Sequence, residues 1–141
     1  MSSGVIVGYD GSETAKAALR AALEVGHAYG EKVVIAVAYD LSPVGGEIHD
    51  YLAALKELAN KRVAEAAAIA TADGSDAQVE GVIIEQEPAH ALAELATERD
   101  ARVIVVGTRG ESPLRGALLG STPHKLLHLA DRPVLVVPAP R

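Results

Sequence analysis

Val103-Ile104-Val105-Val106 runs directly into Gly107-Thr108-Arg109-Gly110, and nine residues later Gly120-Ser121-Thr122 leads into Pro123-His124-Lys125-Leu126-Leu127. An unbroken aliphatic run, then glycines, then a hydroxyl residue ahead of helically spaced apolar positions predicts a buried strand, a long loop and a helix N-terminus. Glycine leaves backbone N–H groups open to close approach by an anion. The helix start adds unpaired donors and the positive end of a dipole, and Ser121 adds a hydroxyl at the same point. This arrangement suits a phosphate chain. Glycines that merely serve turns in a long loop would leave the same trace, so the spacing alone keeps both readings open.

The same strand-to-helix alternation extends to both ends of the chain. Residues 5–9 form a short apolar run, and Asp10-Gly11-Ser12 supplies turn and cap chemistry. Ala15, Ala18, Leu19, Ala22 and Val25 recur at helical spacing up to Gly30, a C-terminal glycine. Residues 33–39 read as the second strand, and Pro43, Gly45 and Gly46 mark a loop over 41–47. A long helix over 48–70 ends at Asp73-Gly74-Ser75, and a third strand covers 79–85. Pro88 opens a third helix with Ala89, Leu92, Ala93 and Ala96 on its face. A strand over 103–106, a helix over 121–130 and a strand over 134–137 complete the pattern.

Strands that alternate with helices predict a doubly wound parallel sheet with right-handed crossovers. Their continuous apolar character is expected when helices cover both faces. Such a sheet binds ligand outside the carboxyl ends of its strands, where the strand order reverses. Two loops lie at such ends: Asp10-Gly11-Ser12, and residues 108–119, longer than the usual connection of about 2–6 residues.

Composition narrows the function. The chain of 141 residues is expected to form one domain over 1–141, with 49% hydrophobic residues and neither Phe nor Trp. A core of small aliphatic side chains offers few rings for stacking a flavin or nucleobase. A net charge of −6 argues against nucleic acid as the main partner. Arg99, Arg102, Arg109 and Arg115 cluster in sequence, a local positive patch that suits a small anion, while Arg99 and Arg102 also fit ordinary solvated charges. The absence of cysteine excludes disulfides, thiol catalysis and Cys-based zinc sites. The N-terminal residues carry no basic and apolar leader pattern, and no apolar run approaches the ~18 residues of a membrane span, so the expectation is a cytoplasmic protein.

The residues from Val5-Ile6-Val7-Gly8-Tyr9-Asp10-Gly11-Ser12 to Pro133-Val134-Leu135-Val136-Val137-Pro138 resemble the universal stress protein family. Gly107, Gly110, Gly120 and Ser121 fit the pattern of its nucleotide-binding branch: glycine, two residues, glycine, nine residues, then glycine and Ser or Thr. The resemblance implies strand order 3-2-1-4-5, with ATP in the crevice between strands one and four. It implies that Asp10 contacts the ribose or a magnesium ion near the phosphates, and that backbone around Ala38 holds adenine. Gly107, Gly110, Gly120 and Ser121 would line ribose and phosphates. The candidate nucleotide set is completed by Gly11, Ser12, Thr122 and Arg109, the arginine standing outside the family motif and, like Arg115, equally readable as a solvated loop charge. Asp10 can equally cap the first helix, as Ser12 can. Tyr9 and Tyr39 read as packing residues with satisfied hydroxyls.

No catalytic set stands out. The Walker A lysine pattern and the Gly-x-Ser-x-Gly elbow are both absent. His124 and His128 are spaced to share a helix face but lack a third metal ligand. Glu85 and Glu87 flank a helix start, as dipole partners would. The reading is therefore an ATP-binding regulatory protein with at most slow hydrolysis. Cyclic AMP or AMP as the ligand, a nucleotide-independent interaction module, and a flavodoxin-like or receiver domain are the alternatives. The implied strand order makes 134–137 an apolar edge. Antiparallel pairing of two copies there would cover it, giving a homodimer whose pairing Pro133 and Pro138 limit.

Overall fold

The computed structural model describes residues 4–40, 48–109 and 119–140, with the side chains of residues 48 and 49 excepted. The loop expected over 41–47, Gly110 and Arg115 lie outside the described residues. Five strands and four helices alternate: β1 (Val5–Gly8), α1 (Glu13–Tyr29), β2 (Val33–Tyr39), α2 (Ile48–Asp73), β3 (Val79–Glu85), α3 (Pro88–Arg99), β4 (Val103–Gly107), α4 (Ser121–Leu129) and β5 (Val134–Val137). The strands form one sheet in the order β3-β2-β1-β4-β5, as expected. Every pairing is parallel, with Val5 opposite both Val33 of β2 and Val103 of β4.

Successive side chains of a strand point to opposite faces. Val5, Val7, Val33, Ile35 and Val105 therefore pack with α1 and α2, including Leu19, Leu23 and Ala66. Ile6, Val34, Ala36, Ile104 and Val106 pack on the other face with Leu92 and Leu95 of α3 and Leu126 of α4. This two-sided burial explains why the central strands read as unbroken aliphatic runs. Ile6, Leu19, Leu23, Ile35, Leu92, Ile104 and Leu126 are fully buried, each worth about 1.5–3 kcal/mol relative to exposure.

Helices cover both faces of the sheet as expected, but the cover thins at β3. Val79, Gly81, Ile83 and Glu85 are exposed, while Glu80, Val82 and Ile84 are half-buried. The strand is at the edge of the sheet, where one neighbour strand and partial helix cover remove less surface from water. Smaller differences occur at element ends. β1 stops at Gly8, although Tyr9 N–H still donates to Ala36 O at 3.0 Å. β4 gains Gly107, and α3 continues to Arg99 before Asp100 caps it in the left-handed region at φ 49°.

Candidate functional site

β1 pairs with β2 on one side and β4 on the other, so the connections leave in opposite directions at the carboxyl ends of β1 and β4. A cleft of about 510 Å³, counting the part open to solvent, lies there. Asp10, Ala38, Gly107, Arg109 and Thr122 of the expected set line it. Gly11, Ser12, Gly120 and Ser121 adjoin these residues in the chain without lining the cleft. Sequence reasoning missed the wall formed by Pro88 and Leu92 of α3 and Pro123 of α4. The available signal was Pro88, whose place after β3 puts the start of α3 at the same end of the sheet.

The sheet geometry exposes main-chain groups of β2 to this cleft. In a parallel ladder both peptide groups of a residue point toward the same neighbour, alternating along the strand. Val33 N–H donates to Gln78 O at 2.8 Å and Tyr39 O accepts from Gln86 N–H at 2.9 Å, so odd-numbered residues of β2 face β3. Ala36 and Ala38 therefore face β1. Pairing with β1 stops at Gly8 opposite Ala36, and the N–H and C=O of Ala38 are directed into the space beyond the end of β1.

The loop after β1 has its own order. Asp10 Oδ1 accepts from Ser12 N–H at 2.9 Å in a tight turn, and no hydrogen bond reaches its other oxygen among the described residues. Gly11 has φ +86°, and a Cβ there would stand 2.6 Å from the Arg62 guanidinium. Ser12, not Asp10, caps α1: its hydroxyl accepts from Ala15 N–H at 3.2 Å. The same hydroxyl donates to Arg109 O at 3.5 Å.

Across the cleft, Gly120 N–H donates to Thr108 O at 2.6 Å, and Thr108 N–H to Val137 O at 3.0 Å. Gly120 is the N-cap of α4 and supplies no side-chain cap. Pro123 has no N–H, which leaves the amides of Ser121 and Thr122 as the donors of the first turn. By contrast the N-terminus of α3 is closed by Glu87, whose carboxylate accepts from Ala89 N–H at 3.2 Å and His90 N–H at 3.1 Å. It also meets Lys125 Nζ of α4 at 3.3 Å. Burial disfavours the Glu87 anion, but the His90 ring, these two amides and Lys125 outweigh it and bring the carboxyl down to about 2.

Tyr9 is buried at 3% exposure and its hydroxyl donates to Glu65 of α2. Burial first, then this bond, raises the Tyr9 pKa, and the same bond lowers that of Glu65. Arg62 approaches Glu65 at 3.3 Å, so a charged pair on α2 backs the first loop.

The arginine patch does not form as expected. Arg99 joins Glu80 at 2.7 Å, and Arg102 joins the buried Glu31 at 3.3 Å while stacking over Tyr29 at 4.1 Å from the ring centre. Both precede β4, whereas Arg109 follows it, and five residues of strand separate them by about 16 Å. Neighbours in sequence thus lie at opposite ends of the sheet, and Arg109 is the described arginine of the four at the cleft. His124 and His128 meet each other edge to face, with ring centres 5.5 Å apart. Among the described residues no group of three or more His, Asp or Glu is placed to hold a metal ion, and no helix is long and apolar enough to cross a membrane.

The sequence model of the universal stress protein family matches residues 1–138. A universal stress protein of Thermus aquaticus is 34% identical over 142 aligned positions, covering 94% of this chain and 96% of the relative. The crystal structure of a universal stress protein in complex with cAMP superposes with a TM-score of 0.77 at 31% identity, covering 97% of both chains. That of a universal stress protein from Archaeoglobus fulgidus in complex with dAMP gives 0.69 at 25% identity, covering 95% of this chain and 96% of the other. With a match this long to the family and the expected strand order in place, the chain belongs to the universal stress protein family.

Proposed function

We propose that the cleft binds an adenine nucleotide and that the protein acts as a nucleotide-responsive regulator. The observation that carries this reading is the pairing of two sets of main-chain groups across one cleft: the peptide groups of Ala38 on β2 and the first-turn amides of α4. A donor and an acceptor on neighbouring atoms match the edge of adenine, and recognition by backbone suits a chain without Phe or Trp. The unengaged oxygen of Asp10 accepts from a ribose hydroxyl. The amides of Ser121 and Thr122, with the motif glycine Gly110, take the phosphate oxygens, and Arg109 supplies a charge-assisted donor from the rim. With ATP as the ligand, Asp10 is also the residue that would hold magnesium, which screens the phosphate charge when bound. No residue is assigned a catalytic role, and any hydrolysis would be slow.

A monophosphate is the second reading, supported by the neighbours solved with cAMP and with dAMP. Competition of ATP, AMP and cAMP against a fluorescent ATP analogue decides between them. Displacement by any of the three supports the cleft assignment, and the order of potency identifies the phosphate count. A Gly110→Asp variant that retains the apo melting temperature is expected to lose the analogue; full retention of binding contradicts the site.

The protein is also proposed to pair through β5. Pro133 O accepts from Ile104 of β4 and Val137 O from Thr108 just beyond it, so the peptide groups of Val134 and Val136 face outward from the sheet. Leu135 on β5 is 40% exposed, and Leu127 on α4 is 58% exposed. An apolar edge with two free peptide units suits a short antiparallel pairing with a second copy, and Pro138 ends the run of donors.

A further inference from the structure

The Thr14 hydroxyl joins the start of α1 to the end of β4 beside the cleft, next to the longer contact of Ser12 with the same carbonyl. Thr14 lies in the first turn of α1 and is 8% exposed. Its Oγ1 donates to Arg109 O and also accepts from Arg109 N–H at 3.4 Å. A hydroxyl has one proton to give and lone pairs to receive, so a single side chain satisfies both main-chain groups of the residue that opens the glycine loop. Gly107 completes the contact. A Cβ at that position would stand 2.6 Å from Thr14 Cβ, so the end of β4 lies against α1 with no side chain between them. The other end of the loop is held separately, by Gly120 N–H on Thr108 O at 2.6 Å.

We propose that Thr14 is the positioning residue of the nucleotide cleft: by bonding both main-chain groups of Arg109 it fixes the cleft-lining residue that stands at the phosphate end. The inference rests on the nucleotide reading above and deepens it. Thr14 does not line the cleft and acts through Arg109, which does. Its effect falls on the phosphate end of a ligand. The adenine end, at Ala38 on β2, is built by sheet pairing in which Thr14 takes no part.

The test compares Thr14→Val, which keeps the shape and removes the hydroxyl, with Thr14→Ser, which keeps the hydroxyl. AMP and adenosine are titrated against the full chain, and hydrogen exchange of the Arg109 amide is followed without ligand. Thr14→Val is expected to weaken AMP by about tenfold, to leave adenosine within about twofold, and to speed Arg109 exchange, while Thr14→Ser stays near the parent in all three. Equal weakening of AMP and adenosine, or unchanged AMP binding, overturns the proposal. If the parent chain binds neither of these nor cAMP nor magnesium-ATP, the nucleotide reading fails on its own; where AMP and adenosine do not bind, the role of Thr14 is decided by Arg109 exchange, and unchanged exchange in Thr14→Val rejects it. Thr14→Ala takes the place of Thr14→Val should that variant not fold, with the same outcomes.

Discussion

Gly107 and Thr14 leave no space between them: a Cβ on Gly107 would stand 2.6 Å from Thr14 Cβ and from the Thr14 carbonyl carbon. The first motif glycine is therefore required by the packing of β4 against α1 as well as by access to the cleft it lines. Gly107→Ala forces backbone apart, a change that flexible side-chain tips cannot absorb. The expected loss is about 1–3 kcal/mol, read as a lower midpoint in urea unfolding. An unchanged midpoint would show that α1 shifts freely.

Glu87 ties α3 to α4, and its capping role sets a pH dependence. Its carboxyl is held at about 2 against an ordinary 4.5, so the folded state binds its proton later than the unfolded chain does. The stabilisation is fully present above pH 4.5 and is lost as pH falls toward 2. Replacing the cap in Glu87→Ala is expected to cost about 1 kcal/mol at neutral pH and to flatten the acid limb of stability between those limits. Chemical unfolding of parent and variant at a series of pH values checks both; parallel curves would contradict the assignment.

Glu80 bridges two elements from β3. The Arg99 guanidinium first, and then the Lys32 ammonium, bring its carboxyl to about 2, with Lys32 Nζ at 2.7 Å. Because the pair is a third exposed, its removal in Glu80→Gln is expected to cost no more than about 1 kcal/mol, and less at high salt. A salt-independent loss in thermal unfolding would point to packing instead.

Glu31 is the buried counterpart. Its Oε2 accepts from Gly4 N–H at 3.0 Å and its Oε1 from Arg102 at 3.3 Å. Glu31→Ala leaves a buried amide without its acceptor, at an expected cost of about 1–3 kcal/mol by the same unfolding assay. Arg102→Ala is expected to be destabilising as well, since the Glu31 carboxylate, 7% exposed, loses a cationic partner.

Association through β5 is expected to respond to Leu135→Arg. The exposed edge position accepts the charge in a monomer, but two copies would bring like charges together. Sedimentation equilibrium should show a dimer for the parent and a monomer for the variant. A monomeric parent rules the edge pairing out.

Much of the fold was legible because β2, β3 and β5 are aliphatic runs between turn residues, and their bounds match the reading. The end of α3 was not. Thr97, Glu98 and Arg99 carry no apolar signal, and Asp100 is a left-handed cap at a residue other than glycine. Arg102 and Arg109 sit close in sequence but at opposite ends of β4, a separation that only the strand between them creates. Asp10, Gly107, Arg109 and Thr122 were reachable from loop position and motif spacing, whereas Ala38 came only with the family resemblance. Thr14 was not, since its partner Arg109 is 95 residues away and no local pattern marks the bond. Pro88 and Leu92 were hidden likewise, reading as ordinary helix-start and core residues until α3 was placed beside the cleft.

The central claim is that main-chain groups on β2 and α4 grip one adenine nucleotide per chain. Calorimetric titration of the purified protein with AMP, cAMP and magnesium-ATP tests it most directly. The account predicts saturable binding of at least one of them at one site per chain, lost in Gly110→Asp. No heat from any of the three, together with an unchanged melting temperature in their presence, would contradict it.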